Sequence, residues 1–423
     1  MVEETDIVIV GAGGGGAVLA LALAQKGIKT IILEQAPGPP QGLRGEILQP
    51  NGQQVLDQLG LLNQLPLAST RVVHKFHFCR VGGERLCTID YRDLPPPYNR
   101  AVVTLPNVAH HAILNAIERQ PSVSLRYRAA FTGLLRENDH VVGLTAKQGD
   151  DHLSVKAKIV VGADGAFSKV REALEIPADL HLYPHGYLIA MLDAAVPMDE
   201  AKYFTGKRTI LGLFPAADNK VYAFYMIKAG SYDLVKEQGL SALQEAWTAI
   251  DPSSAPIFRT LTDWKQTAFM PTGRVRTPRW VADGAVLIGD AAHAMNPHAS
   301  QGRMQAMVDA MTVSDLLTEC LATKNYSASF LSRYEQVRRP HVTMLQNLAD
   351  EQVVFWNTAN PVITFLRDRV FSTLDRNARL RYRVLSTTAG LRKDPPFGPM
   401  DRLMAAGFLP DPAAHTMVAG GTR

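Results

Sequence analysis

The run TDIVIV at residues 5–10 carries unbroken apolar positions after Asp6, the mark of a strand covered on both faces. GAGGGG follows, and then AVLALALAQK, a helix-forming run that stops at Gly27, a residue suited to the C′ position. KTIILEQ repeats the buried-strand pattern, so the segment predicts a strand–helix–strand unit of about thirty residues. NGQQVLDQLGLL predicts a helix after Arg44, VTLPNVAHHAILNAIE a strand and helix, and VKAKIVVGADG a strand that ends on Asp164. From about His181 to Gln266 the pattern changes. GYLIAMLDAA, RTILGLFPA and KVYAFYMIKAG read as antiparallel strands of a separate sheet, and HKFHFCRVGGERLCTIDY has the same character. GAVLIGD then returns to the buried-strand type, and beyond Pro340 the chain reads as helical with a Pro/Gly-rich tail.

This order predicts an α/β protein. A Rossmann-like domain with a parallel sheet occupies 1–70, 100–180 and 267–345 and is interrupted by a mostly antiparallel β-sheet domain at 71–99 and 181–266. Residues 346–423 form a helical C-terminal region.

Composition narrows the function classes. With 423 residues, 46% hydrophobic and 20% charged, the chain is an ordinary globular protein large enough for several cores. A net charge of +4 is too small to argue for nucleic acid. Three cysteines without a C-x-x-C suit a reducing cytoplasm and supply no metal site. Residues Ile7 to Ala24 are apolar, but Glu3, Glu4 and Asp6 precede them and five glycines interrupt them, against a signal peptide.

Gly11-x-Gly13-x-x-Gly16 lies between the first strand and helix, where it allows a tight turn, a close approach to a pyrophosphate and close helix packing. Glu34 ends the second strand, 18 residues after Gly16, where an acid accepts hydrogen bonds from ribose hydroxyls. NAD and FAD share this fingerprint. VVGADGAFSKVR then places Asp164-Gly165 at a strand end with Ser168 and Arg171 at the next helix, and GDAAHAMNPHASQGRMQAM begins at Gly289.

These three stretches together resemble the single-component flavoprotein monooxygenases of the para-hydroxybenzoate hydroxylase type, over about residues 5–345. The middle fingerprint matches at Asp164, Gly165, Ser168 and Arg171, and the third at Gly289, Asp290, Ala291, Ala292, His293, Pro297, Gln301 and Gly302. Ser300 stands where that family usually has glycine, and Met304 where asparagine is frequent. The resemblance implies that Asp290 binds the ribityl chain of FAD and that Pro297 lies beside the isoalloxazine ring. The helix start at Gln301 and Gly302 would present backbone N–H groups to the flavin's pyrimidine edge. Arg44 is implied near the ribose and pyrophosphate and Asn107 near the flavin, with helix capping as the other reading of Asn107.

The implied activity is NADH- or NADPH-driven reduction of FAD, addition of O₂ at flavin C4a, and transfer of one oxygen atom from the hydroperoxide to an aromatic or quinone-like ring. Such chemistry needs no triad and no metal. No acid or base is assigned, although His74, His77, His185, Tyr203, Tyr222 and Tyr225 of the second sheet are available. His293 reads equally well as a packing residue, and Met304, Met307 and Met311 read as core. A halogenase, a reductase of prenyl double bonds and a non-catalytic FAD-fold binder are the alternatives. The first lacks its W-x-W-x-I-P signature here. Residues 361–384 carry Arg367, Arg369, Arg376, Arg379, Arg381 and Arg383 among apolar positions. The favoured expectation is a cytoplasmic protein with this helix packed on the FAD-binding domain, its basic face solvated. Peripheral membrane contact is the second reading.

Overall fold

Ile7, Val8 and Ile9 are fully buried, as an unbroken apolar run requires. They belong to the strand Val2–Val10, which pairs in parallel with Thr30–Leu33 on one side and Asp151–Gly162 on the other. The computed structural model describes residues 2–43 and 46–416, so Arg44 lies outside the described residues. Ala285–Leu287 and Val123–Arg126 extend the parallel order at either side, and two antiparallel strands, Ala129–Glu137 and His140–Gln148, attach to Asp151–Gly162. The helix Gly14–Ala24 is apolar all round and buried all round, because the sheet and the helices Val108–Glu118 and Gly302–Thr323 enclose it.

The second sheet has seven strands among the described residues. Its order is Thr267–Met270, His185–Asp193, Lys220–Lys228, Thr209–Ala216, Ala201–Gly206, Lys75–Arg80 and Arg85–Asp90. All neighbours are antiparallel except Lys75–Arg80 beside Ala201–Gly206, where segments distant in sequence meet in parallel. One face packs on the helices Leu240–Ile250 and Ala255–Phe258 around Trp247 and Phe258. The other face packs on Trp356, Phe371, Leu374 and Leu380 of the C-terminal helices. Thr267–Met270 belongs to this sheet, just past the boundary expected at residue 266, because Tyr187–Ala190 offers it an edge.

The C-terminal segment departs from the favoured expectation. The helix Pro361–Arg376 packs on the second sheet, against Arg85–Asp90, and not on the parallel sheet. Most of its arginines are paired and do not form a solvated basic face. Arg367 is fully buried and donates to Gly206 O at 3.0 Å and to Asp368 at 3.0 and 3.1 Å. Arg369 donates to the carbonyls of Ala406 and Gly407. Arg379 reaches Asp401 and Asp411, Arg383 reaches Asp401, and Arg381 lies 3.5 Å from Asp93. Arg376 stays exposed. The acids that neutralise this run arrive from later or much earlier in the chain, so the local charge count overstates the basic surface. No helix of the described residues is long and apolar enough to cross a membrane.

Arg367 supplies a charge and a packed stem to an interior it cannot leave. Replacing it with alanine strands Gly206 O, leaves Asp368 with Arg80 alone and empties a packed interior, and is expected to lower stability by about 3 kcal/mol. The midpoint of urea unfolding reads this directly, with Arg376→Ala as the neutral control.

Candidate functional site

The glycine turn is built to the limit of backbone approach. Gly11 has φ +98°, and a Cβ there would stand 2.5 Å from Ala163 O. A Cβ on Gly16 would stand 2.0 Å from Gly11 O, so the helix sits directly against the turn. Gly13 is different: it is the N-cap, has no side-chain cap, and a Cβ there would meet nothing within 4 Å. The free N–H groups of the first turn therefore face space that no described residue fills. Glu34 borders that space, its carboxylate accepting from Ala12 N–H at 2.9 Å and Ala36 N–H at 2.8 Å.

Asp164 uses its carboxylate locally. It accepts from Ser168 Oγ at 2.5 Å, Lys169 N–H at 2.7 Å and Val170 N–H at 3.1 Å, capping the short helix Lys169–Ala173, while Gly165 makes the turn at φ +85°. Arg171 is buried and donates to Ala291 O at 2.7 Å and Ala166 O at 2.9 Å. It thereby joins the second fingerprint to the third. Asn107 occupies the N-cap of Val108–Glu118 at φ +64° without capping it. Its Nδ2 donates to Gly42 O at 2.9 Å, on the loop that leads to Arg44.

The Gly289–Asp290 turn rests on Asp309, which is fully buried. Its Oδ2 accepts from Gly289 N–H at 3.0 Å and His293 Nε2 at 2.6 Å, and its Oδ1 from Arg338 Nε at 2.8 Å. Burial alone would raise the Asp309 carboxyl pKa, but His293 and Arg338 outweigh burial and hold it well below the usual carboxylate range. Gly289 takes φ +59° and lies against Ala306 of the long helix. Asp290 is left exposed, lines the central cavity, and has no hydrogen-bond partner among the described residues. His293 is thus a packed residue beneath the site, 4.7 Å from the Trp280 ring.

Beyond Pro297 the chain turns through Ser300 at φ +52°, which explains the usual glycine there: only glycine holds that conformation without strain. Gln301 is fully buried, and its side chain faces away from the cavity. It donates to Thr388 O at 2.7 Å and accepts from Asn51 Nδ2 at 2.9 Å and Gln305 Nε2 at 2.8 Å. Any contact of Gln301 with a cofactor is therefore through its backbone. The helix Gly302–Thr323 has no side-chain cap, so this second helix start also presents free N–H groups.

Arg303 is a residue the fingerprints do not carry. It lies over the first turn of the glycine helix, where a Cβ on Gly14 would stand 2.9 Å from Arg303 Cγ, and it lines the cavity. A cation in the first turn of a helix opposes the macrodipole, so its place in the sequence was itself a signal of an anion nearby. His110, 3.2 Å from Arg303 Nη2, is kept neutral, pushed down to about 3 by burial first and then by Arg303. Two uncapped helix starts, an open glycine cradle, an arginine and an unpartnered carboxylate together fit the diphosphate, ribityl chain and pyrimidine edge of FAD.

From Asp290, Pro297 and Arg303 the cavity, about 260 Å³, runs between the two sheets. Its far walls are aromatic: Phe76, Phe78, Tyr187, Tyr203, Phe224 and Trp356. Of the second-sheet residues available as a base, Tyr203 and Tyr222 line it. His77 instead binds Glu200 and Thr88, Tyr225 faces Trp247 on the other side of the sheet, and His74 is exposed. His298 also lines the cavity, with ring nitrogens 3.3–3.4 Å from the Tyr187 and Tyr203 hydroxyls. Burial pushes it down to about 3, so it is neutral. Gln352 adds a buried Oε1 with no partner.

A family model described as FAD binding domain matches residues 4–349. The chain is 32% identical to a 6-methylpretetramide 4-monooxygenase of Streptomyces rimosus, over 80% of this chain and 81% of that protein. It is 25% identical to a 3-demethoxyubiquinol 3-hydroxylase of Escherichia coli strain K12, over 92% and 99%. Among solved structures, a p-nitrophenol 4-monooxygenase from Pseudomonas putida DLL-E4 superposes with a TM-score of 0.81, covering 92% of this chain and all of that one at 19% identity.

Two outcomes follow from the site's geometry. Asp290→Ala is expected to weaken FAD retention by about 1.5–3 kcal/mol, the range of a hydrogen bond to a charged group, and Gly13→Val to weaken it further by filling the cradle. Equilibrium dialysis of FAD against each variant gives the ranking. Asp309→Asn is expected to cost about 3–5 kcal/mol, because it strands the buried Arg338. The lowered Asp309 pKa contributes stability above its unfolded value near 4 that is lost as pH falls through the native value. Acid titration of the folded protein should therefore show an unfolding limb below about pH 4 that Asp309→Asn flattens.

Proposed function

Since the chain belongs to the FAD-binding-domain family of aromatic-ring flavoprotein monooxygenases, we propose that it hydroxylates a hydroxyl-bearing aromatic or quinone-like substrate whose ring portion lies in uncharged surroundings. FAD is its cofactor and NADH or NADPH its reductant. The observation that carries the substrate class is the lining of the cavity. Its walls are aromatic, its charged residues Asp290 and Arg303 belong to the cradle end, and its far polar groups are the neutral His298, tyrosine hydroxyls and the orphan Gln352 Oε1. An acceptor buried without a partner costs about 1–3 kcal/mol, which a substrate hydroxyl donating to Gln352 would relieve. The quinol-type name of the E. coli relative supports such a ring.

Bound FAD, once reduced, supplies one oxygen atom of O₂ in electrophilic form. The residues would divide the remaining work. Gly11, Gly13, Gly16, Glu34 and Arg303 would hold the dinucleotide, and Asp290 the ribityl chain. The Gly302 helix start would favour negative charge at the pyrimidine edge. The aromatic walls would exclude water and fix the ring plane. His298 would accept a hydrogen bond from a phenolic substrate hydroxyl at a ring nitrogen, orienting the ring and raising electron density at the carbon that receives oxygen. Its neutrality leaves one nitrogen lone pair available for that bond, and Tyr187 and Tyr203 orient the imidazole.

His298→Ala is expected to lower product formation by about tenfold, the effect of one lost hydrogen bond of about 1.4 kcal/mol, with FAD content and substrate-independent oxygen uptake retained. The ratio of hydroxylated product to hydrogen peroxide measures this. Unchanged coupling in the variant would remove His298 from the reaction, and stoichiometric anaerobic reduction of the substrate would replace hydroxylation with reduction of a double bond.

A further inference from the structure

A second pocket, about 670 Å³, opens on the surface beyond the aromatic cavity. His185, Arg208 and Lys228 line it together with residues 357–360, and no acid among the described residues does. The two are neighbours along one sheet face. Side chains two positions apart on a strand share a face, so His185 lies one step outward from Tyr187 of the cavity. Across the sheet, Lys228 pairs with His185 and Met226 with Tyr187, and Met226 packs in the same core as Tyr187 and Tyr203. At the end of the helix Ala328–Trp356, Trp356 lines the cavity and the next residue, Asn357, lines the pocket.

Arg208 and Lys228 are exposed and neither has an acidic partner among the described residues, in contrast to the paired arginines of the C-terminal helices. Arg208 is held in place through its backbone: at φ +48° it ends the Ala201–Gly206 hairpin side, and its N–H donates to Thr358 O at 3.1 Å. The sixteen-residue helix Pro361–Arg376 starts at the pocket's edge, but Asn360 in the lining already caps it, accepting from Val362 N–H and Ile363 N–H, so the cations carry the site. Two cations on one concave surface, with no acid among the described residues that line it, give a positive potential there.

We infer that this pocket binds an oxyanion, a phosphate or carboxylate group, at the mouth of the aromatic cavity. The group comes either from the diphosphate of the nicotinamide reductant or from a carboxylate tail of the ring substrate, and naming these two sources rests on the monooxygenase reading. Either would leave the uncharged part of its molecule directed toward the cavity.

Titration calorimetry of the FAD-loaded protein with inorganic pyrophosphate at low ionic strength tests the site. Saturable binding is expected, weakened at least tenfold in Arg208→Gln/Lys228→Gln, with the flavin absorbance unchanged. No saturable binding, or equal binding by the double variant, overturns the inference. Competition then identifies the source: displacement of pyrophosphate by NADP⁺ assigns the pocket to the reductant, displacement by benzoate to the substrate, and displacement by neither overturns its role as a mouth. These readouts need no turnover, so a chain that bound pyrophosphate here yet transferred no oxygen would refute the proposed activity while leaving the site standing.

Discussion

Asp309 keeps a negative charge where water does not reach, and the FAD-binding side of the molecule is arranged around that fact. A lone carboxylate in such a place would cost several kcal/mol, so its donors must all be present or the charge cannot be. They come from three places: the Gly289 turn, the short helix that carries His293, and Arg338 of the helix Ala328–Trp356. Holding the Gly289 N–H fixes a backbone turn at positive φ, and that turn is what leaves Asp290 outside, unpartnered. The influence also runs along the long helix. Arg338 donates to Gln305, Gln305 to Gln301, and Gln301 to Thr388 O, which borders the aromatic cavity. A chain of buried amides thus connects the charge under the cradle to the C-terminal wall of the substrate space.

The cavity exists because two sheets of different character meet. The parallel sheet ends in turns rich in N–H donors, suited to phosphates and to reduced flavin. The second sheet offers a broad face of Tyr, Phe and Met side chains, which takes the C-terminal helices as its cover and leaves one strip uncovered. Polar cradle and aromatic strip are therefore products of separate folding units, and the Pro297–Ser300 turn is the seam between them.

Much of this was legible in residue order because the relevant turns are local. The glycine turn, Glu34 at a strand end, and the Gly289-Asp290 turn each sit at the strand ends that their signatures mark, and their supports, Ala12 and Asp309, lie about twenty residues away. The middle fingerprint was legible in part: Asp164 caps its own helix, and Arg171 works on the third motif through Ala291. What stayed hidden depends on convergence. Tyr187, Tyr203 and His298 lie 95 or more residues apart in two of their three pairings, and no periodicity relates them. The C-terminal arginines looked like a surface because Asp401 and Asp411, which neutralise Arg379, lie 22 and 32 residues further on. Gln301 sits in a recognisable motif, but its burial is decided by Asn51 and Thr388, far from it on either side.

The parallel pairing of Lys75–Arg80 with Ala201–Gly206 sets an order of events during synthesis. The hairpin at 75–90 emerges from the ribosome first, with Phe76, Phe78 and Ile89 on it and nothing yet to cover them. Its partner strand follows only after the helices and strands of residues 101–182 have been made. Loop closure over that distance is slow, and an open strand edge invites pairing with another nascent chain. The interrupted layout therefore makes yield in cells a matter of translation rate and chaperone supply, and it means that neither sheet can be expressed alone by cutting the gene at a single point.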